Sequence, residues 1–265
     1  LIMMKAFMDK NPESVVLFYD SEFGTPQGYF DIFGIDTTRI IHVPVTDLEE
    51  LKFDMVAQLK DIDTEDKVFI MVDSVGNLAS KKEVDDAESQ KSAADMTRAK
   101  QFKSLFRMIT PHLTMKDIPM VAVNHTYDSQ GLYPTKVVSG GTGMYYSADT
   151  IWIVGRQQDK VGSEIQGYHF VINVEKSRFV KEKSKIPISV SWEKGVDKFS
   201  GLLDMAIDYG VISRSGGWYQ MVDMETGEVA DKKFREKDTH SEEFWRPILD
   251  DEKFDEFIQK RFRVG

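Results

Sequence analysis

Val15-Val16-Leu17-Phe18-Tyr19-Asp20-Ser21-Glu22 and Val68-Phe69-Ile70-Met71-Val72-Asp73-Ser74 are two unbroken apolar runs, and each ends in carboxylates. A third run, Val121-Ala122-Val123, ends in Asn124-His125. A strand with one wet face alternates polar and apolar residues. A run apolar at every position is buried on both faces, as in a parallel sheet covered by helices. In open sheets of that kind, ligands bind beyond the carboxyl ends of the strands. Glu22, Asp73 and His125 are therefore expected along one edge of one site, the pattern of a nucleotide-hydrolysing core.

Outward from these runs, Phe23-Gly24-Thr25-Pro26 is turn chemistry, and a short helix through Tyr29, Phe30 and Phe33 ends at Gly34. Ile40-Ile41-His42-Val43 reads as another strand. Asp47, with Glu50 three residues on, resembles a capping box at the head of a helix carrying Leu48, Leu51, Met55, Val56 and Leu59. Residues 79–94 are polar and charged and read as a mobile loop. Met96, Ala99, Phe102, Leu105, Phe106 and Ile109 then mark an amphipathic helix, and a second loop, 126–142, ends in Gly140-Gly141-Thr142-Gly143. Antiparallel strands are expected at 150–154, 168–174 and 186–192. The fold class expected is α/β: a mostly parallel central sheet flanked by helices, an antiparallel extension, and a small α+β C-terminal region. The division expected is 1–195 for the core and 196–265 for the C-terminal region.

With 265 residues, 41% hydrophobic and 29% charged, the chain fits a soluble globular protein. No apolar run approaches the roughly 20 residues that span a bilayer. The opening Leu1-Ile2-Met3-Met4-Lys5 lacks a signal-peptide pattern, and there is no cysteine for disulfides or thiolate metal sites. A cytoplasmic location is expected. The net charge of −10 argues against a generally nucleic-acid-coating surface, though not against a local basic groove.

Taken one at a time, the candidate residues leave alternatives open. Asp73 at a strand end suits magnesium and equally suits a turn or cap. Glu22 suits a base for an attacking water and also reads as a solvated loop carboxylate. His125 is either structural or placed to sense a terminal phosphate. Gly140-Gly141-Thr142-Gly143 is a phosphate cradle or a hinge, and without a GK[ST] ending it is not a P-loop. Lys176, Arg178, Lys181, Lys183 and Lys185, with Glu182 the one acid among them, form a solvated hairpin or a phosphate grip. A second basic cluster (Lys81, Lys82, Lys91, Arg98, Lys100, Lys103, Arg107) is interleaved with acids.

In their order, the segments resemble the RecA family of recombinases, and within it the recombinases of T-even-type phages. Leu17-Phe18-Tyr19-Asp20-Ser21-Glu22-Phe23-Gly24 is similar to the segment bearing the catalytic glutamate. Val72-Asp73-Ser74-Val75-Gly76-Asn77-Leu78-Ala79-Ser80-Lys81-Lys82-Glu83 is similar to the Walker B strand running into the first DNA-binding loop. Asp95-Met96-Thr97-Arg98-Ala99-Lys100, Asn124-His125-Thr126-Tyr127, Gly140-Gly141-Thr142-Gly143 and Val174-Glu175-Lys176-Ser177-Arg178 continue the match, and Gly217-Trp218-Tyr219 has a counterpart beyond it.

The resemblance implies a RecA-like ATPase core using ATP and Mg2+, filaments on single-stranded DNA, and homologous pairing and strand exchange in recombination and repair. Glu22 would activate water, and Asp73 would serve magnesium, directly or through water, with Ser74 beside it. Tyr29 would stack on adenine. His125 would read the γ-phosphate, where the family usually has glutamine. Lys176 and Arg178 would reach the neighbouring subunit's ATP. The loops at 79–94 and 126–142 would hold DNA, with Lys81, Lys82, Lys91, Tyr127, Tyr133, Lys136, Gly140 and Gly141 as contacts. Expected partners are single- and double-stranded DNA, further copies in a helical filament, a recombination mediator and a single-strand-binding protein, with no membrane. The family's P-loop should fall immediately before Leu1, together with the segment that grips the neighbouring subunit. The chain as given is therefore expected neither to bind ATP tightly nor to form filaments alone. A hexameric replicative helicase core shares the carboxylate strands and is the alternative within the superfamily. A non-catalytic DNA-binding or filament-regulating protein is the alternative outside it.

Overall fold

In the computed structural model, which describes residues 1–89, 97–130 and 135–264, the apolar runs lie side by side. The first of two units, Leu1–Ala148, begins with α1 (Ile2–Lys10), β1 (Val15–Asp20) and α2 (Gln27–Ile32). β2 (Ile40–Pro44), α3 (Leu48–Asp61), β3 (Val68–Asp73) and α4 (Lys81–Glu88) follow. The unit ends with α5 (Thr97–Met115), β4 (Met120–Ala122), β5 (Thr126–Asp128), β6 (Lys136–Val138) and α6 (Thr142–Ser147). The main sheet has the order β2-β1-β3-β4 and is parallel throughout. Asp20 and Asp73 are direct register partners at the ends of β1 and β3.

Both faces of this sheet are covered, as the unbroken apolar runs require. Leu17, Tyr19, Ile70 and Val72 pack with the buried faces of α3 and α5. Val16, Phe18 and Phe69 pack on the other side with Met4 and Met8 of α1 and Phe30 of α2. Each fully buried side chain of this size stabilises by about 1.5–3 kcal/mol, so the face of α3 formed by Leu48, Leu51, Met55 and Leu59 anchors that helix. Its start is capped as the spacing predicts: Asp47 Oδ1 accepts from the Glu50 amide at 2.8 Å. Glu50 reaches back one residue further than in the usual box and accepts from Thr46 N and Oγ1 at 2.8 and 2.9 Å.

Two expectations change. The stretch from 79, read as a mobile loop, contains the helix α4. The buried Ser80 caps it, its Oγ accepting from Glu83 N at 3.2 Å, and Lys82 pairs with Asp86 one turn on. No residue of α4 is buried, so it has no apolar stripe for a pattern reading to find. The second stretch is a hairpin at its base, with β5 antiparallel to β6, and it runs through Gly140 and Gly141 into α6. These two glycines have φ of 93° and 76°, a left-handed backbone that side chains with a Cβ avoid. Lys91 and Tyr133 lie outside the described residues.

The second unit is Asp149–Gly265. β7 (Thr150–Val161), β8 (Glu164–Ser177), β9 (Lys185–Ser191) and β10 (Gly195–Val196) form an antiparallel sheet in the order β10-β9-β8-β7. β7 and β8 run well beyond the expected 150–154 and 168–174. After them come α7 (Leu202–Tyr209), β11 (Ile212–Ser215), β12 (Trp218–Met221), α8 (Glu242–Leu249) and α9 (Glu252–Phe262). These pack around Tyr219, Phe244, Trp245 and Phe254. Among the described residues the meander strands pair only within their own sheet, which lies inside the second unit. β10 is hydrogen-bonded to β9. Among the described residues, no helix is long and apolar enough to cross a membrane.

Candidate functional site

Where β1 leaves the sheet, Asp20 stays inside, with 2% of its surface exposed. Its Oδ1 accepts from the amides of Glu22 (3.0 Å) and Phe23 (2.8 Å), and its Oδ2 lies 3.1 Å from Nε2 of His42 in the middle of β2. This turn holds Phe23 at φ 53°, a conformation a residue with a Cβ rarely adopts, and swings Glu22 back over the strand ends. Ser21 ties β1 to β3. Its amide donates to Asp73 O at 2.9 Å, and its Oγ donates to Ser74 O at 2.6 Å and accepts from Ser74 N at 3.0 Å. The Asp73–Ser74 peptide is cis.

Glu22 Oε1 accepts from Ser74 Oγ and from Asn77 Nδ2, each at 2.6 Å, and His125 Nε2 lies 3.9 Å from the same oxygen. Gly76 makes this meeting sterically possible. A Cβ there would come within 2.8 Å of the His125 ring. Glu22, Asp73, Ser74 and His125, set apart in sequence, thus meet at one sheet edge. Asn77 was inside the matched segment without a role. No spacing rule signals an amide that becomes a partner only when two strands are brought into register.

Glu22 and Asp73 share a cleft of about 270 Å³ with Leu1, Thr25 and the half-exposed ring of Tyr29. Burial, then the carboxylates of Glu22 and Asp20, raise the Asp73 pKa above the ordinary aspartate value. A carboxylate disfavoured by its neighbours fits a cation that would offset their repulsion. Among the described residues no group of three or more His, Cys, Asp or Glu is placed to hold a metal ion by itself. The residues present fit magnesium held by Asp73 and Ser74 with phosphate or water completing its oxygen shell, as is usual for that ion.

The remaining candidates lie elsewhere. Lys81 and Lys82 occupy the first turn of α4. Tyr127, 56% exposed, is on β5 opposite Val137, and Lys136 pairs with Asp128 at 2.9 Å. Lys176 and Arg178 belong to the second unit. Lys176 pairs with Ile151, next to the last pair of the ladder, and Arg178 Nε sits 3.1 Å from Asp149 Oδ1. The segment after Arg178 is tied to the end of α9, with Lys181 N donating to Phe262 O and Val264 N to Phe179 O.

A parallel sheet whose adjacent strand ends gather a hydrogen-bonded glutamate and an aspartate of raised pKa, beside an exposed aromatic ring, is an α/β core of the RecA-like class. The comparisons carry this to a family. The recombination and repair protein of Enterobacteria phage T4 is 49% identical over 270 residues, a match taking in all of this chain and 69% of that protein. The chain belongs to the family of that protein, the UvsX branch of the RecA-like recombination proteins. A family model described as the C-terminal domain of the bacteriophage T4 recombination and repair protein matches residues 199–258. More distant likeness extends to protein RecA of Mycoplasma mycoides, 25% identical over 81% of the chain and 61% of that protein. Protein RecA of Clostridioides difficile is 22% identical over 84% of the chain and 64% of its own length. The chain thus spans about seven-tenths of the phage relative and somewhat under two-thirds of these RecA proteins.

Proposed function

We propose that the complete protein is a DNA-dependent ATPase that assembles as a helical filament on single-stranded DNA and promotes homologous pairing and strand exchange. The observation that carries this reading is the convergence of Glu22, Ser74, Asn77 and His125 at the ends of β1, β3 and β4. One oxygen of Glu22 is held by two donors. The other has no hydrogen-bond partner among the described residues, as a base for an attacking water needs. His125, within reach of the held oxygen and at the base of the β5–β6 hairpin, is placed to report a terminal phosphate to that hairpin. Leu1, at the N-terminal end of α1, lines the same cleft. The positive end of a helix favours phosphate, which fits a nucleotide phosphate in that cleft.

Magnesium, when bound with ATP, would neutralise phosphate charge as the terminal bond breaks. Asp73 and Ser74 would hold it, Tyr29 would offer its ring to the base, and Glu22 would orient and deprotonate the water. Lys176 and Arg178 would act on the ATP of an adjacent copy. Lys81, Lys82 and Lys91, with Tyr127, Tyr133, Lys136 and the Gly140-Gly141 backbone, would contact DNA phosphates and bases. Recombination mediators and single-strand-binding proteins would be partners, in the host cytoplasm. Likeness to a recombination and repair protein supports this reading over a ring helicase.

The test is Glu22→Gln in the complete protein. DNA-stimulated hydrolysis should fall by about 10²-fold or more while ATP binding survives. Normal hydrolysis by this variant would remove Glu22 from its role.

A further inference from the structure

Arg98, in the first turn of α5, directs its guanidinium at backbone, and among the described residues it makes no ion pair with a carboxylate. Nε donates to Leu78 O at 2.7 Å, and Nη2 donates to Gly76 O at 2.7 Å and Val75 O at 3.2 Å. Nη1 reaches Ser139 Oγ at 3.5 Å, and the group lies 4.8 Å over the Phe102 ring. Half-buried and hydrogen-bonded, among the described residues, to neutral oxygens, this arginine does what a point charge on a flexible stem cannot do. Its planar fork fixes the path of consecutive peptides.

The peptides it fixes carry the site. Asn77, inside the held segment, donates to Glu22 Oε1 at 2.6 Å, and Gly76 packs against His125. On the other side, Ser139 N donates to His125 O at 3.0 Å, and Asn124 Nδ2 donates to Ser139 O at 2.8 Å. Three segments therefore meet at one guanidinium: the stretch from β3 to α4, the stretch that follows β6, and the start of α5. Two of them adjoin the DNA-facing α4 and β5–β6 hairpin.

We infer that Arg98 is a positioning residue that couples DNA engagement to the aim of Glu22 through Asn77; this rests on the function proposed above. A shift of α5 or of the segment after β6 on binding DNA moves the carbonyls that Arg98 grips. Those carbonyls carry Asn77, and Asn77 sets one of the two hydrogen bonds that orient the catalytic carboxylate. Coupling of this kind is a linked equilibrium, and a double-mutant cycle detects it where spatial adjacency alone proves nothing.

The experiment uses the complete protein carrying Arg98→Lys, Asn77→Ala or both. It measures steady-state ATP hydrolysis with saturating oligo-dT, and thermal unfolding. Each single variant should lose about tenfold or more in DNA-stimulated kcat with KM for ATP unchanged, because a carboxylate misplaced by a fraction of an ångström costs rate rather than binding. The double variant should be no slower than the slower single. A multiplicative loss in the double, or full stimulation in Arg98→Lys, overturns the coupling. Should Arg98→Lys unfold below the assay temperature, Asn77→Ala decides alone. Asn77 is exposed, so this variant keeps the fold, and full DNA-stimulated kcat in it overturns the proposal. Wild-type protein without DNA-stimulated hydrolysis, or Glu22→Gln that retains it, overturns instead the functional reading beneath.

Discussion

Asp20→Ala tests whether a buried carboxylate that touches no substrate sets the geometry of the site. The wild-type group accepts two backbone N–H bonds, at 3.0 and 2.8 Å, while 2% exposed. Bonds from neutral donors to a charged acceptor stabilise by about 1.5–3 kcal/mol each, so losing both costs about 3–6 kcal/mol if the amides stay dry. Glu22 and Phe23 are both exposed, so water re-partners their amides in part and the loss lies near the lower figure. Removing the charge also relieves the repulsion that Asp20 exerts on Asp73. Asp73 is partly solvated, which limits that gain to about 1 kcal/mol or less. The net expectation is a loss of about 2 kcal/mol, read as a lowered urea midpoint with an unchanged slope for the first unit. Phe23, no longer held at its positive φ, relaxes and carries Glu22 with it, so DNA-stimulated kcat falls about tenfold to a hundredfold. Asp20→Asn keeps an acceptor for the two amides and should lose about half as much stability. An Asp20→Ala protein with the wild-type midpoint and full kcat would refute the reasoning.

Two further outcomes follow from the same geometry. The folded Asp73 carboxyl binds its proton more tightly than in the unfolded chain, so stability falls as pH rises from the ordinary aspartate value through the raised folded value, and it stays lower above that window. Asp73→Asn abolishes this slope and gains on wild type between pH 3 and pH 7 in a series of thermal melts; parallel melting curves would contradict the assignment. Arg178→Ala removes an exposed ion pair with Asp149, which is worth about 1 kcal/mol or less, yet should cut DNA-stimulated hydrolysis by about 10³-fold if Arg178 acts on a neighbouring copy's ATP. A large drop in melting temperature with stimulation intact would make it structural.

Much of the first unit was legible because β1 and β3 are buried on both faces, and only a covered parallel sheet asks for Val15 to Tyr19 and Val68 to Val72 without a polar break. The meeting of Glu22, Asp73 and His125 followed from strand ends sharing an edge. α4 escaped because its evidence is local, a serine cap and one i,i+4 ion pair, and none of the helix's own residues is buried. Asn77 and Arg98 escaped for the opposite reason. Their roles exist only across separations of 55 and about 20 residues.

The strand order also bears on how the chain reaches this state. β1 meets β3, and β3 meets β4, each across about fifty residues of intervening chain. Closing such loops must precede the contacts that reward it, which makes the first unit a slow folder beside the β7–β8 hairpin, whose strands are neighbours in sequence. During synthesis the hydrophobic edge of β3 waits for β4 to emerge. Over that interval the nascent chain exposes an unpaired apolar strand of the kind chaperones bind.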